Sequence, residues 1–281
     1  MSTTVAHNEG SGGAAENGSA AAVDAERLLR EGELTVEGRL TEASNATLYC
    51  RVELDGASMQ CVYKPVAGER PLHDFPDGTL AARELAAFAV SEAAGWRIVP
   101  RTVERDGPFG RGMCQQWIEE SDLSAAVTVL KDVRSEEAEE WCPVLAVRLS
   151  DGSDGVLAHR DGPALRRIAL FDAVVNNADR KGGHLLPLAD GHVLGIDHGL
   201  TFHAEDKLRT LLWGFAERGL EPAERAELTR LREDQRLAAH LAELLSPVEL
   251  AAFHERIDAL LATDALPGPD GRMRPVPWPP I

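Results

Sequence analysis

Apolar and polar positions along the first third of the chain group into three β-like stretches, Leu34 to Thr41, Thr47 to Leu54 and Met59 to Lys64. The Asp55-Gly56 pair between the last two suits a tight hairpin, so the three predict an antiparallel meander. A polar, proline-containing connection from Pro65 to Gly78 leads to Thr79–Ala94. There Ala81, Leu85, Phe88, Ala89 and Val90 make one apolar helical face, with Thr79 placed to cap and Gly95 to terminate. Ile98 to Glu104 and Met113 to Ile118 read as two further strands about the Asp106-Gly107-Pro108 turn.

Beyond Glu119 the period lengthens. Ser135 to Ala146 and Pro163 to Val175 predict helices, Pro163 being acceptable in a first turn. The polar, glycine-containing run Asn176 to His184 breaks that pattern and feeds Leu185–Leu188 and His192–Ile196, a hairpin about Asp190-Gly191. Ala204–Phe215, Pro222–Leu231, Gln235–Leu244 and Pro247–Leu261 again have helical spacing. The expected layout is a tail over 1–24, a first lobe of sheet and helix over 25–118, a mainly helical second lobe over 119–266, and an irregular proline-rich end over 267–281. The expected class is α+β, an antiparallel-sheet lobe followed by a helical one.

Composition narrows the function. At 281 residues and 44% hydrophobic, the chain can bury one large core or two modest ones. A formal charge of −17, with no Lys/Arg block standing above it, repels nucleic-acid phosphates and argues against a nucleic-acid partner. The Gly-, Ala- and Ser-rich start lacks the cationic and apolar regions of a secretory signal and reads as a disordered tail. No apolar run approaches the length of a bilayer span, so no membrane span is expected. Cys50, Cys61, Cys114 and Cys142 form no Cys-x-x-Cys pair, which suits reduced thiols in a cytoplasm.

Phosphoryl transfer requires a cation for nucleotide phosphates, a carboxylate near the attacking group and oxygen ligands for a divalent metal. Residues of each kind occur in order. Lys64 ends the third strand, and Glu84, in the following helix, can pair with it and hold it extended. A strand-end lysine alone is commonly just a solvated cation, so the ordered set gives it weight. The densest signal is Asp179-Arg180-Lys181-Gly182-Gly183-His184, followed by the hairpin and closed by Ile196-Asp197-His198-Gly199.

An Asp-Arg pair, a side-chain ligand five positions after the Asp, a hairpin and then Ile-Asp-x-Gly together resemble the catalytic and metal-binding loops of phosphoinositide 3-/4-kinase-like enzymes, an atypical kinase superfamily. Tyr63-Lys64-Pro65 resembles the nucleotide-lysine motif of its small bacterial branch. The resemblance runs from about Leu34 to Phe215. It implies a two-lobed kinase-like fold and an ATP-dependent phosphotransferase using Mg2+ or Mn2+. By the same resemblance Lys64 contacts the α/β-phosphates, Asp179 orients or deprotonates the acceptor, and Asp197 ligates the metal with His184. Ser44, Asn45 and Thr47 would contact phosphate, Glu84 would position Lys64, and Gln116, Trp117 and Ile118 fall where the interlobe hinge meets adenine. His184 stands where relatives usually have Asn, and imidazole suits manganese, zinc or iron better than magnesium. His198 replaces an aromatic Phe.

Other patterns compete. His159-Arg160-Asp161 spells a protein-kinase catalytic triplet, but Arg166 stands five residues on where a metal ligand is required, and a loop is expected. Asp172 and Asn177 share the five-residue spacing, but Asp172 sits in a helical apolar segment where it would cap, pair or face solvent. His184, His192, His198 and His203 raise a zinc hydrolase, although no His-Glu-x-x-His occurs. Trp96, Trp141 and Trp213 read as packing residues. With no polybasic patch or amphipathic anchor, a protein hydroxyl or small soluble alcohol is the favoured acceptor over lipid. The same scaffold can also transfer AMP or simply bind nucleotide.

Overall fold

The computed structural model describes residues 24–40, 45–76, 79–119, 122–149 and 151–281. The expected tail, apart from Asp24, and Ser44 lie outside them. The first described element was not anticipated: α1 (Ala25–Glu31), with Arg27–Glu31 and Arg30–Glu26 pairs one turn apart. There follow β1 (Glu33–Arg39), β2 (Leu48–Leu54), β3 (Ala57–Pro65), α2 (Leu80–Ala93), β4 (Thr102–Gly107) and β5 (Gly110–Gln116). The strands form one antiparallel sheet in the order β1-β2-β3-β5-β4. Alternation sends Cys50, Val52, Cys61, Tyr63 and Cys114 to one face, where they bury Leu28 and Leu29 of α1. Lys64 therefore points from the opposite face, the one that α2 reaches.

The second half carries strands where helix was expected. Ser135–Ala146 is a short 3-10 turn at Glu136–Glu140 running into β7 (Trp141–Arg148). With β6 (Val127–Leu130) and β8 (Asp154–Arg160) it makes a three-stranded antiparallel sheet, order β6-β8-β7. Pro143 explains the difference: inside a helix it would remove a hydrogen bond and clash with the preceding turn, whereas in β7 it sits at a register shift. Helix α3 (Pro163–Val175) and the hairpin β9 (Leu185–Pro187) and β10 (Val193–Gly195) follow as expected. Ala204–Phe215 is not helical beyond a 3-10 turn at Trp213–Phe215. Its amides are drawn instead to distant partners: Lys207 donates to the Asn176 side chain, Arg209 to the Asn177 carbonyl and Leu211 to that of Arg180.

Helices α4 (Pro222–Glu233), α5 (Gln235–Leu244) and α6 (Pro247–Thr263) complete the second lobe. One apolar core runs from Ala86 and Val90 of α2 through Ile168 and Phe171 of α3 to Phe253 and Ile257 of α6. Arg83 of α2 adds a polar tie, donating to the Thr201 carbonyl and to Glu249 of α6, and Trp96 donates to Glu227 at 2.7 Å. The proline-rich end is irregular as expected, but it folds back: Pro275 accepts from Thr210 and Trp213, and Pro280 from Gly182. All four cysteines are buried free thiols. No helix among the described residues is long and apolar enough to cross a membrane.

Candidate active site

Between the first sheet and the second lobe lies a cavity of about 220 Å³, lined by Lys64, Glu84, Asp179, Lys181, His184 and Asp197, with Asn45 and Thr47 at its sheet side. Each is placed by the local fold. The β3 alternation aims Lys64 inward, and α2 brings Glu84 beneath it, Nζ to Oε1 2.5 Å. On its other side Lys64 meets Asp197 Oδ1 at 2.9 Å. The buried Glu84 uses its second oxygen to accept the His198 amide at 2.9 Å. Asp197 itself takes a left-handed φ of 61°, a strained conformation that Asp tolerates better than most residues and that the surrounding bonds hold.

The electrostatics follow from this arrangement. Burial works against the Lys64 ammonium, but the Asp197 and Glu84 carboxylates outweigh it and raise its pKa above the ordinary lysine range. Asp197 is held well below the usual carboxylate range, chiefly by Lys64 and against the cost of burial. Since 52% of the Asp197 side chain opens to the cleft, water screens part of that attraction. Asp179 moves the other way: burial raises its pKa although Lys181, 3.0 Å away, opposes the shift. Burial pushes His184 down to about 4, leaving a neutral imidazole near neutral pH.

The donors fit a divalent ion that is completed by other ligands. His184 Nε2 lies 3.6 Å from Asp197 Oδ2, while its Nδ1 is buried with no hydrogen-bond partner among the described residues. Among the described residues no group of three or more His, Cys, Asp or Glu side chains gathers to cage a metal. One carboxylate and one neutral imidazole match an ion that takes its remaining oxygens from phosphate and water.

Behind the cleft lies a buried polar network that the sequence only hinted at. Arg180 is fully buried and pairs with the equally buried Asp172, Nη2 to Oδ1 2.9 Å. It also donates to the Ile196 carbonyl and lies 2.7 Å from His198 Nε2. Asn177 donates to Asp172 and accepts from the Asp179 amide, so Asp172, Asn177, Arg180 and His198 together brace both Asp179 and Asp197. Asp172 thus pairs, and His198 packs as a hydrogen-bonding ring edge-on to Phe171, centroids 5.3 Å apart.

Two expectations are corrected here. Thr79 makes no capping bond to α2; Glu69 does so from eleven residues upstream of Leu80, accepting the Leu80 and Ala81 amides at the cleft wall. His159-Arg160-Asp161 is not a loop but the end of β8 and its exit: His159 accepts from the Gly214 amide and Asp161 binds Arg218 at 2.8 Å. The four histidines do not converge, since His192 bonds the Arg97 carbonyl and His203 the Glu205 amide. Gln116, Trp117 and Ile118 line a separate depression of about 480 Å³ with Arg51, Met59 and Gln60. Trp117 sits edge-on to Tyr49, ring centroids 5.1 Å apart.

Sheet lobe, cleft and helical lobe together define a kinase-like α+β fold. The chain is similar to a solved structure of hydra Fam20 with sugar, at 13% identity and TM-score 0.57 over 85% of this chain and 86% of that one. A Golgi casein kinase with Mn and ADP bound is similar at 15% identity and TM-score 0.52, over 85% of this chain and 74% of that one. No protein-family model matches the sequence. Protein Rv2133c of Mycobacterium tuberculosis is 45% identical over 265 residues, 91% of this chain and 95% of that protein, and the chain belongs to its family.

Proposed function

We propose that the chain is an ATP-dependent phosphotransferase of the atypical kinase class, on the phosphoinositide 3-/4-kinase-like side of it, that transfers the γ-phosphoryl group to a hydroxyl. The observation that carries this reading is Lys64 fixed between Glu84 and Asp197 in a cavity that also holds Asp179. In this reading Lys64 turns its ammonium to the α/β-phosphates, with Asn45 and Thr47 contributing on the sheet side. Asp179 accepts the proton as the acceptor oxygen bonds to the γ-phosphorus and the bond from that phosphorus to the β,γ-bridging oxygen breaks, releasing ADP. Its raised pKa makes it a better base than an ordinary carboxylate. Asp197 and His184 would hold Mg2+ or Mn2+, which when bound neutralises phosphate charge. The Mn and ADP named with the Golgi casein kinase support this choice of ligands.

The test is incubation with α- and γ-labelled ATP followed by mass spectrometry of the chain and added acceptors. Phosphoryl transfer moves γ-label and releases ADP; AMP addition would move α-label and release pyrophosphate. Asp197→Ala is expected to lose metal-dependent nucleotide binding and nearly all transfer. Asp179→Ala should keep binding while lowering turnover by roughly 10²-fold or more. His184→Asn should shift metal preference from Mn2+ toward Mg2+ without abolishing turnover. A wild-type Asp197→Ala enzyme would sink the site assignment.

A further inference from the structure

The cleft cavity is small for what the proposed reaction must put there. At about 220 Å³ it falls below the roughly 300–1,000 Å³ of sites that enclose a small molecule. A triphosphate, its metal and an acceptor hydroxyl have to meet in it, so one wall must give way. Most walls are fixed. Helix α2 shares the main apolar core with α3 and α6, and Arg83 ties it to the Thr201 carbonyl and to Glu249. Lys64 on the sheet is held to Glu84 of α2 at 2.5 Å.

The wall formed by the connection from β3 to α2 is held differently. Its Glu69 and Leu72 line the cavity, and Leu72 packs with Leu200 of the second lobe. Val66, Arg70, Pro71 and His73 are exposed. A turn closed by reciprocal backbone bonds between Leu72 and Phe75 presents one buried anchor, Phe75, which packs on Leu80 and Ala178 and lies edge-on to His203, ring centroids 5.4 Å apart. Beside it Asp74 reaches the second lobe through two partly exposed ion pairs, to Lys207 at 3.4 Å and to Arg209 at 3.9 Å. Pairs of that exposure contribute little each, so this is the wall that yields at least cost.

We propose that residues 66–76 form a strap, latched on the second lobe by Asp74 and Phe75, whose closed position opposes filling of the cavity. The inference rests on the nucleotide reading of the cleft. Nucleotide and latch then compete, and the competition is reciprocal: loosening the latch tightens nucleotide binding, and bound nucleotide loosens the latch.

The experiment is calorimetric titration of the full chain with Mn2+ and the β,γ-imido analogue of ATP, with hydrogen exchange followed on the same samples. Lys207→Met breaks the shorter Asp74 pair and removes a cation from the second lobe. Electrostatics alone would weaken binding of an anionic nucleotide to this variant, whereas release of the latch should tighten it about two- to fivefold, the equivalent of one exposed ion pair. Lys207→Arg, which keeps the pair, should bind as the wild type does. Phe75→Ala changes no charge and should also tighten binding; where it fails to fold, Lys207→Met decides. In the wild type, saturating nucleotide should speed exchange of the Leu72 and Phe75 amides while those of α2 stay protected. Unchanged or weaker binding by Lys207→Met, or strap amides slowed by nucleotide, would overturn the strap alone and leave the nucleotide reading standing. A wild-type chain that binds no nucleotide would instead overturn that reading, and the strap with it.

Discussion

His159 occupies a site that tolerates only the neutral ring. Its Nδ1 faces the Arg160 carbonyl at 2.9 Å, so it carries the proton there, while Nε2 accepts the Gly214 amide at 3.1 Å. Position 214 must be glycine for this approach, because a Cβ would stand 2.1 Å from Cys142 Cβ. Burial lowers the pKa of His159 below 6.5, and lowers His184 and His198 in the same direction. An imidazole depressed in the fold takes up protons first in the unfolded chain, so stability is complete above about pH 6.5 and falls as pH drops toward the folded values. Urea unfolding between about pH 7.5 and pH 5 is expected to show this decline, and His159→Gln should flatten part of it. A flat profile would mean that these rings take up protons in the fold as readily as in the unfolded chain. In the sequence His159-Arg160-Asp161 reads as a loop that merely spells a catalytic triplet; the Gly214 amide that gives His159 its role stands 55 positions away.

Among the elements, the loops that carry Asp179 and Asp197 are braced by one ion pair. Arg180 and Asp172 are both 0% exposed. Removing one partner leaves the other charge buried and uncompensated, which costs about 3–5 kcal/mol, whereas replacing both with apolar groups is far milder. Asp172→Leu and Arg180→Met are each expected to be strongly destabilising, and the double variant less so than either. Chemical denaturation in a double-mutant cycle measures this; simple additivity would show that the pair is not a unit. How legible each element was depends on where its bonds go. The β2–β3 hairpin was readable because its register and its Asp55-Gly56 turn are local. The resemblance to kinase-like loops grouped Lys64, Glu84, Asp179, His184 and Asp197, and these five line one cavity. Stretch 204–215 was misread as helix because its bonds reach Asn176, Asn177, Arg180 and Pro275, none of which periodicity can show. β7 was misread because the Glu-rich run before it favours helix, although Pro143 already argued against one.

Across the whole molecule, the proline-rich end is irregular, yet its contacts tie it to the loop that carries Asp179 and His184. The Pro280 carbonyl accepts the Gly182 amide at 2.7 Å, within the loop that carries Asp179 and His184. The Pro275 carbonyl accepts from the Thr210 amide at 3.0 Å and from Trp213 Nε1 at 2.8 Å. Thr210 is bridged in turn to Arg180. Ile281 packs over Gly182, where a Cβ would stand 3.3 Å from its side chain. Deleting residues 273–281 removes three hydrogen bonds accepted by the Pro275 and Pro280 carbonyls, at about 0.5–1.5 kcal/mol each. The shortened chain should therefore fold with stability lower by roughly 2–4 kcal/mol. None of these contacts reaches Lys64 or Glu84, so nucleotide affinity should change little while turnover falls, because it is the Asp179–His184 loop that loosens. Hydrogen exchange separates this from a general loss of stability: amides of 180–184 and 210–213 should exchange faster than those of α2. Wild-type protection in those two stretches would return the end to the inert role that its composition suggests.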